Sequence, residues 1–243
     1  MGTQSATTNL ATASGSTRRN GAPSGGFTII EAAMATVIIG VGVVAMVEAQ
    51  QAFLISNVWS SHSATGAYLA NEIREMPRTL PRHDPVTSLY IIPGEGADPD
   101  QLFGWGRETG EVTVDDFDDL DDFNGILFSD VGTTDPSDGD LPGPINSFGE
   151  VIMEIAADGS IVMTPGGDEE APPTQVPMLG WSQQVIAEKV NPFNTAEVIA
   201  PGAANVTTAI DDFPVRMTVI VNYQGPWATA PEEVTRLVWI VPR

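Results

Sequence analysis

The stretch Phe27–Val47, FTIIEAAMATVIIGVGVVAMV, is the longest apolar run in this chain of 243 residues. It contains 21 residues and a single charge, at Glu31. At ~1.5 Å per helical residue the run is about 30 Å long, which matches the hydrocarbon core of a bilayer. A buried helix of a soluble domain seldom continues this far without polar residues. We therefore predict a membrane-spanning helix segment over residues 27–47.

The segment before this run, residues 1–26, is rich in Ser, Thr, Ala and Gly, and its only charges are Arg18 and Arg19. Such a composition cannot bury a core and is typical of a flexible or removable leader. Basic residues before the apolar run and acidic ones after it predict a cytoplasmic N-terminus and an extracytoplasmic body. A secretory signal peptide would place its small residues after the apolar run, whereas Ser24–Gly26 precede it.

Glu31 is the unusual residue of the apolar run. A carboxylate near the bilayer interior costs at least ~2.5 kcal/mol on insertion scales, so it needs a partner or a route to water. Two explanations stay open at this point. The side chain can snorkel to nearby headgroups, or it can neutralise a positive group on a neighbouring subunit.

The hexapeptide Gly26–Glu31, GFTIIE, followed by an apolar run, resembles the N-terminal signature of type IV pilin-like proteins, the pilins and the secretion-system pseudopilins. In that family a prepilin peptidase cleaves after the Gly on the cytoplasmic side and methylates the new N-terminal amine. The resemblance therefore implies cleavage between Gly26 and Phe27, N-terminal methylation of Phe27, and contact of Glu31 with the amine of an adjacent subunit. It is strong over about residues 25–50 and loose in the body of the chain.

The chain after Val47 becomes more polar but keeps a helical pattern until Pro77, which ends it. We predict one helix from about Thr28 to Met76, roughly 70 Å long. Its second half, residues 48–76, should be amphipathic and should present an apolar stripe to a globular head. That stripe consists of Trp59, His62, Tyr68, Leu69, Ile73 and Met76.

The remaining residues, 77–243, are predicted to form an acidic, β-rich head. Three stretches of β-branched, roughly alternating residues predict strands at Trp181–Val190, Val215–Tyr223 and Val234–Val241. A hairpin is predicted over residues 149–164, turning at Asp158-Gly159. The predicted fold class is α+β, with the long N-terminal helix packed on an antiparallel sheet.

Composition excludes several classes of function. The net charge is −22, and residues 95–170 contain 21 acids and one base, which argues against contact with nucleic acid or electrostatic adhesion to anionic lipid. The absence of Cys excludes disulfides, thiolate metal sites and cysteine nucleophiles. The two His lack metal-ligand spacing, and no P-loop, dinucleotide or G-x-S-x-G motif occurs. We therefore expect no enzymatic activity.

The Asp-rich stretch Asp115–Gly125, DDFDDLDDFNG, places six Asp in eight positions. Such acids face water or share a cation, and oxygen ligands at this density suit Ca²⁺. The spacing fails the calcium-loop pattern, because Leu120 falls on the first ligand position. We expect a solvated loop, with Phe117, Leu120 and Phe123 turned inward and no cofactor. Calcium is the alternative, and its ligands would be Asp115, Asp116, Asp118, Asp119, Asp121 and Asp122.

The sequence thus predicts a minor pilin or pseudopilin, a subunit of a type IV pilus or type II secretion-like filament. Its partners would be a prepilin peptidase and other pilin or pseudopilin subunits. It would cross the inner membrane once, with its head periplasmic or extracellular in a filament. The lack of Cys excludes the disulfide-closed C-terminal loop of many major pilins and favours a minor subunit. The alternative is a single-pass membrane protein whose acidic extracytoplasmic head binds or senses a ligand and never polymerises.

Overall fold

The long N-terminal helix is present in the computed structural model, which describes residues 26–84, 86, 89–92, 94–96, 101–133, 139–165, 172–199 and 213–242. Helix α1 covers Ile29–Glu75, 47 residues, and a 3₁₀ turn follows at Met76–Thr79. The predicted bounds are therefore correct to one residue at each end. The α-helix stops where it does because Pro77 has no backbone N–H to continue the ladder. Residues 1–25 of the expected leader lie outside the described residues.

The chain divides into two compact units, residues 1–54 and 55–243. In the first unit every described residue, 26–54, is exposed. The helix that begins there lies near the N-terminus and is long and apolar enough to cross a membrane.

The second unit contains ten strands among its described residues. In chain order these are β1 (Tyr90–Ile92), β2 (Gln101–Phe103), β3 (Leu127–Ser129), β4 (Asp140–Pro142), β5 (Met163–Thr164), β6 (Thr174–Gln175), β7 (Trp181–Asn191), β8 (Asn194–Val198), β9 (Val215–Tyr223) and β10 (Glu232–Val241). The main sheet has the order β10-β9-β7-β3-β4, and β8 pairs with the end of β7. Strands β1 and β2 form one small antiparallel pair, and β5 and β6 form another. The architecture is α+β.

The three long strands confirm the sequence prediction. Strand β9 has the predicted bounds, and β7 and β10 differ from theirs by one and two residues. Along β7 buried and half-buried residues alternate, as expected for a strand with one face on a core. Strand β9 pairs with both β7 and β10, so it lies inside the sheet, and its residues are the most buried of the three.

The prediction of an antiparallel sheet is correct for the three predicted strands, β7, β9 and β10, and wrong for the whole sheet, which is mixed. Strand β3 pairs antiparallel with β7 and parallel with β4. Each of these strands, β3 and β4, has only three residues. That length is too short for an alternating pattern to show in the sequence, so neither strand nor its direction could be read from it.

The predicted hairpin over residues 149–164 is present near its turn. Gly159 has a φ of +84° and donates its N–H to the Ala156 carbonyl, as the Asp-Gly pair predicts. The two arms pair antiparallel at Ile155 and Ile161, and Val162 donates its N–H to the Glu154 carbonyl at 2.9 Å. Farther from the turn the first arm pairs with other segments instead, at the isolated bridges Ile145–Val151 and Met153–Pro177.

The core of the head lies between the last turns of α1 and the main sheet. The buried residues of the helix are Gly66, Leu69, Ala70 and Ile73. A Cβ atom on Gly66 would lie 2.9 Å from side-chain atoms of Val234 and Thr235, so this glycine lets β10 approach the helix. The predicted stripe is therefore correct at Leu69 and Ile73.

Two members of the predicted stripe are not part of this core. Trp59 and Tyr68 are 51% and 52% exposed. Met76 packs partly against the core, and the ring of His62 contacts those of Trp181 and Tyr223. The buried contact of α1 therefore covers only its last turns, a narrower range than the residues 48–76 predicted to be amphipathic.

Gln183 joins the helix to the sheet inside the core. Its side chain is fully buried on β7 and donates to the carbonyls of Leu69 (2.9 Å) and Ile145 (3.1 Å). The side-chain oxygen accepts the N–H of Ile145 at 2.7 Å. Because all these groups are buried, each bond avoids the cost of an unpaired polar atom.

Candidate functional site

The predicted processing residues Gly26 and Phe27 lie directly before α1, and both are exposed. Thr28 is the residue before the helix, and its hydroxyl accepts the backbone N–H of Glu31 at 3.3 Å. Thr28 therefore caps the helix, a role that the T-x-x-E spacing indicates and that our sequence analysis missed. The cap fixes the start of the helix two residues after Phe27.

Glu31 lies in the first turn of α1, at its positive end. The helix dipole stabilises a carboxylate there by about 0.3–1 kcal/mol. Transfer of that carboxylate toward a bilayer interior costs at least ~2.5 kcal/mol. The dipole offsets less than half of this cost, so an apolar environment still requires a positive partner for Glu31.

Residues 27–47 are exposed and mostly apolar, and Glu31 is the one charged residue among them. Between Phe27 and Trp59 the large exposed apolar residues are Phe27, Ile29, Ile30, Met34, Val37, Ile38, Ile39, Val41, Val43, Val44, Met46, Val47, Phe53, Leu54, Ile55, Val58 and Trp59. A helical stretch that is apolar all round is typical of a buried position, in a protein core or in a membrane. Gly40 and Gly42 have open space around them, since a Cβ atom on either would meet no neighbouring atom within 4 Å.

The Asp-rich loop divides into an exposed and a buried part. Asp115, Asp116 and Asp118 are exposed, whereas Asp119, Asp121 and Asp122 are 0% exposed. The expectation of a solvated loop is therefore wrong for the second group. The other part of that expectation is confirmed, because the apolar residues Phe117, Leu120 and Phe123 are buried in the core.

Burial of these Asp residues follows from the tight turns between the three apolar anchors. Asp119 Oδ1 accepts the backbone N–H groups of Asp121 (2.8 Å) and Asp122 (3.2 Å). Asp122 Oδ2 accepts those of Asp118 (3.0 Å) and Asp119 (3.1 Å). Short acidic side chains readily accept hydrogen bonds from backbone N–H groups a few residues away. These bonds satisfy the backbone N–H groups of a turn that enters a core.

Asp121 belongs to a buried network with His83 and Lys189. Its Oδ2 lies 2.5 Å from His83 Nδ1, and His83 Nε2 lies 2.5 Å from Lys189 Nζ. The backbone N–H of Gly106 donates to Asp121 Oδ1 at 2.9 Å. Burial raises the pKa of Asp121 to about 6, although the Gly106 bond and the charge of Lys189 oppose the shift. The network ties the Asp-rich loop to β7 and to the segment after α1.

A second group of acids converges in the same loop region. Glu108, Glu111 and Asp122 each offer an oxygen within 4.8 Å of the others, and Asp118, Asp119 and Asp122 do the same. We call Glu108, Glu111, Asp119 and Asp122 the buried carboxylate cluster, in which the two Asp residues are fully buried and the two Glu residues half-buried. Sequence reasoning missed its two Glu residues because they precede the Asp-rich stretch and belong to no motif.

Burial and mutual repulsion raise the pKa values in this cluster. The pKa of Glu108 rises to about 8, first through burial and then through Glu111 and Asp122. That of Asp119 rises to about 8 through burial and Asp121, and that of Asp122 to about 7, mainly through burial. By contrast, exposed Asp116 accepts bonds from Thr113 and Val112, which lower its pKa. Asp115 and Asp116 belong to neither of the two sets of converging acids.

No protein-family model, no curated protein and no solved structure matches this chain.

Proposed function

We propose that this chain is a subunit of a type IV pilin-like filament, a minor pilin or pseudopilin with a structural rather than a catalytic role. The observation that carries the proposal is the position of GFTIIE, which ends inside the first turn of a helix that stays apolar and exposed from Ala32 to Val47. Before assembly the helix would anchor the protein in the inner membrane. After assembly it would lie among the same helices of other subunits.

One apolar surface suits both environments. Burying a Val, Leu, Ile, Phe or Met side chain stabilises by about 1.5–3 kcal/mol, whether lipid or another helix covers it. Between helices in a membrane there is no hydrophobic driving force, since lipid tails are equally apolar. Transfer from membrane to filament therefore needs a more specific interaction, and Glu31 is the only charged residue between Phe27 and Val47.

Cleavage between Gly26 and Phe27 would create that interaction. It would convert the backbone nitrogen of Phe27 into an amine, with an ordinary pKa of about 7.7–8.0, which is largely protonated at neutral pH. Glu31 would pair with this amine on an adjacent subunit and thereby lower the cost of its own burial. Removal of the leader would in this way both release the subunit and complete its assembly contact.

The charge distribution supports the orientation in this proposal. Arg18 and Arg19 would remain on the cytoplasmic side, where a prepilin peptidase acts on the Gly26–Phe27 bond. The acidic head would be periplasmic, or extracellular in a filament. Its residues 55–243 form a compact unit that needs no part of the first 54 residues for its own internal contacts.

The test uses Glu31→Ala in a host that assembles such filaments, with incorporation measured by shearing and immunoblot. Insertion into the membrane becomes easier without the charge, so processing and membrane level should stay unchanged. Incorporation should fall at least ~10-fold, the effect of losing about 1.4 kcal/mol of contact energy. Glu48→Ala is the matched control, because Glu48 is an exposed acid of the same helix.

Equal incorporation of Glu31→Ala and wild type would contradict the assembly role and leave Glu31 as a snorkelling residue. A wild-type chain that keeps residues 1–26 and never enters the sheared fraction would support the alternative, a single-pass membrane protein with an acidic binding or sensing head.

A further inference from the structure

We infer that the buried carboxylate cluster is a calcium site, in which Glu108, Glu111, Asp119 and Asp122 hold one Ca²⁺ in the head. This inference goes beyond the proposed filament role and does not depend on it. The four residues form two pairs with the same spacing, Glu108-x-x-Glu111 and Asp119-x-x-Asp122. Asp122 belongs to both groups of converging oxygens and joins them.

Unpaired buried oxygens are the first observation that points to a cation. Among the described residues, Glu108 Oε2, Asp119 Oδ2 and Asp122 Oδ1 are buried and have no hydrogen-bond partner. Asp119 and Asp122 are fully buried. In each of these two Asp residues the other oxygen accepts backbone N–H groups, so the turn fixes the carboxylate and leaves the remaining oxygen without a hydrogen-bond partner. Buried polar atoms are rarely left unpaired, and charged ones least of all.

The local backbone holds the first pair in the same way. Glu111 donates its N–H to the carbonyl of Glu108 at 3.3 Å, and Glu111 Oε2 accepts the N–H of Glu108 at 2.7 Å. Residues three apart in such tight turns lie on the same side of the chain. Each pair is therefore preorganised by its own turn, and an ion between the pairs would not have to order them first.

The ligand chemistry selects calcium. All the ligand atoms are carboxylate oxygens, whereas Zn²⁺ prefers nitrogen and sulfur. Ca–O distances of about 2.3–2.6 Å allow two oxygens of one ion to lie up to about 5 Å apart. The oxygens of each group lie within 4.8 Å of one another, which fits this limit. Mg²⁺ needs shorter bonds in octahedral geometry and keeps its waters, which suits a buried cluster poorly.

This site differs from the one that the Asp-rich stretch suggests on its own. Asp121 is bonded to His83, and Asp116 caps the turn that follows Thr113. The proposed ligand set contains Glu108 and Glu111, which lie outside that stretch, instead of these two residues. A bound ion would fix the loop whose residues Phe117, Leu120 and Phe123 enter the core, so calcium should stabilise the whole head.

The experiment uses the full chain, purified in a nonionic detergent, treated with EGTA and dialysed. Calorimetric titration with CaCl₂ should show one ion per chain, with a Kd of about 1–100 µM. At 1 mM CaCl₂ the melting temperature should rise by about 5 °C or more. MgCl₂, and NaCl at equal ionic strength, should have a much smaller effect on it.

Three variants locate the site. Asp122→Asn removes the shared ligand and should weaken calcium binding at least ~10-fold and reduce the thermal shift accordingly. Glu111→Gln should also weaken binding, and it keeps the acceptor for the Glu108 N–H, so it remains informative if Asp122→Asn does not fold. Asp115→Asn is the matched control, because it removes one charge from an exposed position of the same loop.

Saturable binding that Asp122→Asn and Glu111→Gln weaken and Asp115→Asn leaves unchanged would support the site. Three results would overturn it: no saturable calcium binding by the wild type, equal responses to calcium and magnesium, or wild-type binding by both Asp122→Asn and Glu111→Gln. All are measured on the isolated chain, so failure of the filament proposal would leave them unaffected.

Discussion

Helix α1 has two parts that differ in what covers them, although the backbone continues from one to the other. Through residue 61 every described residue is exposed, including the large apolar side chains. In the last turns Gly66, Leu69 and Ile73 are buried by the head. The presence of apolar residues alone therefore does not show what packs against a given part of a helix. The end of α1 is covered by its own chain, whereas its beginning is exposed, and in the proposed filament role lipid or another subunit would cover it.

The glycines of α1 show the same difference. A Cβ atom on Gly66 would meet Val234 and Thr235 at 2.9 Å, whereas one on Gly40 or Gly42 would meet nothing within 4 Å. Glycine costs about 1 kcal/mol relative to alanine in a helix. At Gly66 the close approach of β10 accounts for that cost. At Gly40 and Gly42 no contact among the described residues accounts for it.

Leu69→Ala should give the largest effect and tests whether the end of α1 belongs to the core. Leu69 is fully buried, so its truncation should destabilise the head by about 2–5 kcal/mol. Ile39→Ala is the control, because Ile39 is exposed in the first part of the helix and should leave the stability of the head unchanged. Denaturant unfolding followed by tryptophan fluorescence measures both. Equal losses of stability in Leu69→Ala and Ile39→Ala would mean that the first part of α1 contributes to the head as its last turns do.

Gly66→Ala should give a smaller loss and sharpens the comparison of the glycines. The gain in helix propensity, about 1 kcal/mol, opposes overpacking against Val234 and Thr235, which typically costs about 1–3 kcal/mol. We expect net destabilisation of the head. Gly42→Ala, with open space around it, should leave the head unchanged in the same unfolding assay. A stabilised Gly66→Ala protein would show that β10 moves away at little cost.

The carboxylates extend the comparison, because Glu31 is exposed in the first part of α1 whereas the buried carboxylate cluster lies within one unit. Its raised pKa values, about 8 for Glu108 and Asp119 and about 7 for Asp122, mean that the folded head binds more protons than the unfolded chain between about pH 4 and 8. Stability without metal should therefore fall as pH rises through this range.

Melting curves in EGTA at pH 5.5, 6.5 and 7.5 measure that dependence. Asp122→Asn should reduce the slope, whereas Asp115→Asn at an exposed position should preserve it. A melting temperature that rises with pH in EGTA would show that the cluster is ionised and compensated by other groups.

The long, locally patterned elements could be predicted well from the sequence. Helix α1 and strands β7, β9 and β10 each carry a period that is visible over nine or more residues, so their bounds were correct within two residues. Short strands such as β3 and β4 have no such period, and their pairing depends on contacts made by the rest of the chain. The parallel pair was therefore missed.

Burial of charged residues was the hardest feature to predict. Six neighbouring Asp residues suggested a solvated loop, but Phe117, Leu120 and Phe123 draw Asp119, Asp121 and Asp122 into the interior. The apolar anchors are visible in the sequence, whereas the direction of the carboxylates between them is not. Glu108 and Glu111 join the cluster through tertiary contact alone, so no motif scan could have included them.

The mass of the mature N-terminus tests the central claim most directly. The protein is recovered from membranes or sheared filaments of its own host, and its N-terminal peptide is analysed by mass spectrometry. Our account predicts that the mature chain begins at Phe27, that its amine carries a methyl group, and that residues 1–26 are absent. An intact N-terminus at Met1 or Gly2 in filament-associated protein would contradict it.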